Sequence, residues 1–109
     1  MKTSKKENFL LILNEGDPIT DFASELTKHH SDFKEENVVI DLKSQNVESD
    51  QLLAFLELSN IHRNENKSFV LVNDAVGIDE LPEELIVVPT LQEAEDMIQM
   101  DEIQRDLGF

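Results

Sequence analysis

NVVIDLKSQNVESDQLL, Asn37 to Leu53, is the stretch on which the fold turns. Its first half, Val38-Val-Ile-Asp-Leu42, is apolar at every position but Asp41. β-Branched residues suit a pleated surface, and a run without polar alternation is the pattern of a strand covered on both faces. A polar stretch, Lys43 to Glu48, then leads to a Leu-rich segment whose spacing predicts a helix from about Ser49 to Arg63. A buried strand followed directly by a helix is the building unit of a parallel sheet.

The flanking sequence repeats that unit. Phe9 to Leu13 is a second continuous apolar run, and Asp17-Pro18 after it is a helix-start signal with Asp17 as N-cap. Ile19, Phe22, Ala23, Leu26 and Phe33 follow at helical spacing, so a helix is expected from about Pro18 to Ser31. Lys67 to Asn73, centred on Phe69-Val-Leu-Val72, gives a third strand, and an irregular acidic passage follows from Asp74 to Glu84. Leu85 to Val88 is a short fourth strand closed by Pro89, and Thr90 with Glu93 forms a capping box that opens the last helix. The expected class is therefore α/β: one domain over residues 1–109, with about four mostly parallel strands in the order β-α-β-α-β-β-α. Residues 1–7 are expected to be disordered.

Two helices depart from a single apolar stripe. In the second, Leu52, Phe55, Leu56 and Ser59 form the core stripe, while Ala54, Leu58 and Ile61 gather on nearly the opposite side. That second cluster reads either as a surface covered by another part of the chain or as a partner surface. In the last helix Leu91, Ala94 and Ile98 share one face and Met100, Ile103 and Leu107 another. This predicts a kink near Gln99 to Asp101 and an amphipathic tail over residues 100–109, either folded back or docked on another chain.

Composition narrows the function classes. The chain has 109 residues, no Cys and no Trp or Tyr, so six Phe supply the aromatic volume. Disulfides, thiolate metal sites and cysteine nucleophiles are excluded, and a reducing, cytoplasmic setting is the expectation. The formal charge of −15 disfavours nucleic acid and anionic membranes, since phosphate contacts need clustered Lys or Arg. From Asp79 onward Arg105 is the only base. Such an acidic half is either a solvated surface or a field that steers a basic partner.

Catalytic and cofactor motifs are absent. His29, His30 and His62 lack the spacing of a metal pair and are expected at solvated helix ends, so neither metal nor cofactor is expected. No G-x-S-x-G, P-loop or G-x-G-x-x-G occurs, and three glycines cannot build a phosphate cradle. Asp41, near the carboxyl end of its strand, either faces the crevice where α/β folds bind ligands or accepts backbone N–H groups from the loop that follows.

Val38–Leu42, a short loop, a Leu-rich helix and Lys67-Ser-Phe-Val-Leu-Val-Asn73 together resemble the core of STAS domains, the anti-sigma-factor-antagonist family. Ile86-Val-Val-Pro-Thr-Leu-Gln-Glu-Ala94 is similar to that family's last strand and the opening of its final helix. The resemblance covers about Asn37 to Ile98. It implies a STAS-like, non-enzymatic, regulatory module of bacterial type that binds another protein, such as a kinase-like or basic partner, as a monomer or weak homodimer. In the family the loop after this strand holds D-S-S/T-G-L, whose Ser or Thr is phosphorylated to switch partner binding. Counted without gaps, that motif falls on Ser49-Asp50-Gln51-Leu52-Leu53, which puts Gln51 at the acceptor position and Leu52 at the glycine. A shift of the loop would put Ser49 there instead, and Asp50 offers a fixed carboxylate beside it. The family's first strand has no counterpart in the sequence, and its helix before the last strand is reduced to Asp79–Glu84. The implied partner surface is Glu48, Ser49, Asp50 and Gln51 with Ala54, Leu58 and Ile61. Val-Ile-Asp41-Leu at a strand end also looks like a receiver phosphoacceptor site, with Asn14-Glu15 supplying half of the acidic pair such domains need. An accessory subunit of a hydrolase is a third reading.

Overall fold

A computed structural model describes residues 2–42, 47–74 and 81–108. Their elements are β1 (Lys2–Lys5), β2 (Leu10–Leu13), α1 (Ile19–Lys28), β3 (Val38–Asp41), α2 (Ser49–Leu52), α3 (Leu56–Asn64), β4 (Phe69–Val72), β5 (Val87–Val88) and α4 (Leu91–Asp106). Among the described residues two 3-10 turns occur, at His30–Asp32 after α1 and at Leu53–Phe55 between α2 and α3. The five strands form one sheet in the order β1-β2-β3-β4-β5. β1 is antiparallel to β2, and every other pair is parallel, with Ile12 opposite Ile40 and Ile40 opposite Leu71.

Side chains alternate across a strand, so each apolar run feeds two cores. On one face Ile12, Val38, Ile40, Phe69 and Leu71 pack with Ile19, Phe22 and Leu26 of α1 and with Leu52, Phe55 and Leu58. Phe22 and Phe55 meet edge to face at 6.2 Å, which ties α1 to the Leu53–Phe55 turn. On the other face Phe9, Leu11, Val39, Val70 and Val72 are covered by Ala94 and Ile98 of α4. The unalternating strands of the sequence are thus buried on both sides. Among the described residues no helix is long and apolar enough to cross a membrane.

Several expectations need correction. Lys2–Lys5, expected to be disordered, pair with β2 and raise the sheet from four strands to five. Lys5 also pairs with Glu36. Helix α1 starts at Ile19 with Pro18 as its cap residue, so Asp17 is not the N-cap. Asn14 brackets Asp17 instead, accepting from its N–H at 3.0 Å and donating to its carbonyl at 2.7 Å. The fourth strand shortens to Val87–Val88.

Helix α4 runs unbroken from Leu91 to Asp106, with Thr90 Oγ1 accepting from the Glu93 N–H at 3.2 Å. The kink expected near Gln99 is absent because the inner stripe turns polar where the sheet edge does. Ser68 Oγ, just before β4, donates to Asp101 Oδ2 at 2.6 Å and accepts from Arg105 Nη2 at 2.9 Å. Asn37 Nδ2, just before β3, donates to Glu102 Oε1 at 3.0 Å, and Asn37 Oδ1 accepts from the Ser68 N–H at 2.9 Å. The last two turns are held on the sheet by these bonds, and residues 100–108 are not a separate tail. Residues 43–46 of the polar stretch and 75–80 of the acidic passage lie outside the described residues.

Candidate partner-binding face

The segment after β3 builds the site. Helix α2 is capped by Glu48, whose N–H donates to Gln51 Oε1 at 2.9 Å. Gln51, at the position where the STAS-type acceptor was counted, is therefore occupied with holding the start of its own helix. Ser49 is half-buried in the first turn, and Asp50 is exposed beside it, where the free N–H groups of the turn favour a negative charge.

The Leu53–Phe55 turn explains where the helix faces fall. A 3-10 turn advances about 20° more per residue than an α-helix, so three residues rotate everything downstream by about 60°. Leu58 is thereby carried into the core, where it is fully buried with Leu52 and Phe55. Its assignment to the partner surface is corrected. Leu56 is only partly buried, and Ser59 is buried with no hydrogen-bond partner for its Oγ among the described residues. Asp50, Ala54, Glu57 and Ile61 face outward, with Leu53 on their flank, and Leu53 and Ile61 are 41% and 40% exposed. Ala54 and Glu57 line one wall of a shallow groove of about 370 Å³, and Thr20, Ser24 and Thr27 of α1 line the other. Small side chains keep it open.

His62 is the residue that the sequence reading placed most wrongly. It is fully buried, not at a solvated helix end. Its Nε2–H donates to the Glu36 carbonyl at 2.6 Å, which leaves Nδ1 to accept from His30 Nε2–H at 2.9 Å. Phe33 and Phe69 pack against the two rings. Burial pushes the pKa of His62 down to about 4, and burial lowers that of His30 as well. The pair joins the 3-10 turn after α1 to α3. The signal was in the spacing: Phe55, Leu58, Ser59 and His62 make one helical stripe. His29 alone is exposed, beside Glu25 at 3.0 Å and Asp32 at 3.6 Å.

Asp41 ends β3, half-buried, opposite Leu13 and Val72. The choice between its two readings falls partly on residues 43–46, which lie outside those described. A larger, apolar hollow of about 570 Å³ opens at the β5 edge, lined by Leu81, Pro82, Leu85, Ile86, Val88 and Met97. Among the described residues no group of three or more His, Asp or Glu is placed to hold a metal ion. Compared with known proteins, the chain matches no family model and no curated sequence.

Proposed function

We propose that this chain is a non-enzymatic, STAS-like interaction module that binds another protein through the outer side of α2–α3 and the residues entering it. One observation carries the reading. The helix that follows the central parallel strand leaves Leu53 and Ile61 about two-fifths exposed, on the same segment as Ala54 and Glu57, which line the groove shared with α1. Large aliphatic residues flanking a small one are the raw material of a binding hot spot, since a partner side chain can be desolvated there. Asp50 and Glu57 give this face an acidic character that favours a basic partner. The order and spacing of the resemblance to STAS domains support the same helix, and a parallel sheet with α1 and α2–α3 on one face is compatible with it. Asp50 supplies a fixed negative charge where the family uses a switched one.

The test is affinity capture from cells in which the protein is native, with wild-type and Leu53→Asp/Ile61→Asp baits. Both positions are exposed, so the variant is expected to keep its fold, checked by circular dichroism, while losing the partner that wild type retains. Phosphate mapping of the recovered wild-type bait is expected to find Ser49 unmodified. An unchanged set of partners on the folded variant would remove this face from the account.

A further inference from the structure

The outer side of α4 carries a second, separate pattern. Glu93, Asp96, Met100, Ile103 and Leu107 succeed one another at steps of three and four residues, and all five are exposed. Met100, Ile103 and Leu107 are 59%, 58% and 65% exposed, the most of any large hydrophobic side chains described. Alternating steps of three and four form the seam that one helix presents to another. Here the seam is acidic at its amino end and apolar at its carboxyl end. Arg105, the one base of α4, is turned inward and bound to Ser68 and Asn37, so it does not offset Glu93 and Asp96.

That polarity selects the occupant. A second copy laid parallel would set acids against acids, and one laid antiparallel in full overlap would set Glu93 and Asp96 against Met100, Ile103 and Leu107. A copy shifted to overlap only the apolar ends would leave both acids without a counter-charge. Like charges repel in the first arrangement, and carboxylates lose water without a partner in the second. An anionic lipid surface meets the same two acids. We propose that the outer face of α4 docks an amphipathic helix of another protein, with apolar residues seated on Met100, Ile103 and Leu107 and Lys or Arg side chains opposite Glu93 and Asp96. This site is independent of the α2–α3 face.

The probe is a synthetic Leu/Lys peptide of about 18 residues, long enough for five turns, with leucines on half of one helical seam and lysines on the rest. Its control has the same composition in an order that forms no seam. Titrated into the isotopically labelled protein, the seam peptide is expected to bind at least about ten-fold tighter than the control, with NMR shifts centred on Met100, Ile103 and Leu107. Met100→Gln/Ile103→Gln/Leu107→Gln should reduce it to the control level, and Glu93→Gln/Asp96→Asn should weaken it and flatten its salt dependence. Leu53→Asp/Ile61→Asp should leave it unchanged. Equal affinity for both peptides, or shifts centred elsewhere, would overturn the proposal. So would loss of binding in the Leu53/Ile61 variant, which would assign the peptide to the α2–α3 face. Self-association abolished by the triple Gln variant would point to a second copy, and α4-dependent binding to vesicles of anionic phospholipid would point to a membrane; either result would contradict it.

Discussion

Both ring nitrogens of His62 are engaged, one donating to the Glu36 carbonyl and the other accepting from His30, so a proton added to His62 has no acceptor to face. Burial disfavours the charged ring most of all, so the folded protein resists protonation down to about pH 4, whereas the unfolded chain takes the proton near 6.5. Below 6.5 the unfolded state binds more protons than the folded one, so stability falls as pH drops toward 4 and is unaffected above 6.5. The full effect is about 3 kcal/mol, and the lowered pKa of His30 acts in the same direction. Urea denaturation of wild type and His62→Gln, at neutral pH and near the folded pKa, checks this. The wild type is expected to lose about 2–3 kcal/mol more than the variant on acidification, and parallel losses would contradict it. The burial of His62 was missed in the sequence, although its spacing from Phe55 and Ser59 on the core stripe carried the signal. Its pairing left no such signal, because His30 lies in another element and only the packing of α3 on β4 brings them together.

At the scale of elements, the apolar cores of β2, β3 and β4 could be read directly, since a strand covered on both faces needs no periodicity to announce itself. β1 could not: Lys-Thr-Ser-Lys has no apolar residue, and it becomes a strand only by pairing with β2. Its lysines suit an edge, where charge discourages further strand pairing. The stripe of α2–α3 was misread because a helix counted at a constant angle cannot show a 3-10 turn at Leu53–Phe55. The break expected in α4 was really a change of partner, from the apolar sheet face to Asn37 and Ser68. Leu58→Ala is accordingly expected to cost about 2–5 kcal/mol, but Ile61→Ala no more than about 0.5 kcal/mol. Ser59→Ala removes a buried hydroxyl without a described partner and is expected to stabilise by about 1 kcal/mol. Chemical denaturation of the three variants checks all of these. A Leu58→Ala cost as small as that of Ile61→Ala would refute the rotated stripe.

For the whole molecule, the sheet divides two surfaces that differ in kind. On one side α1 and α2–α3 leave a shallow groove lined by Thr20, Ser24, Thr27, Ala54 and Glu57, and the same α2–α3 segment exposes Leu53 and Ile61. On the other, α4 presents a long seam, acidic then apolar. The α/β class and the parallel core were legible in the sequence, as were Asp50, Ala54 and Ile61 as exposed residues of the second helical segment. The groove was not, because Thr20, Ser24 and Thr27 carry no signal until α1 is laid beside Ala54. The central claim is that the groove side of α2–α3 meets another protein, and a photo-crosslinking residue placed at Ala54 tests it most directly. Irradiated in cells in which the protein is native, this variant is expected to give one discrete adduct that Leu53→Asp/Ile61→Asp abolishes. The same crosslinker at Glu35, an exposed residue between α1 and β3 and outside both proposed faces, is expected to give none. The same adducts from both positions, or an adduct at Ala54 that survives the double substitution, would contradict it.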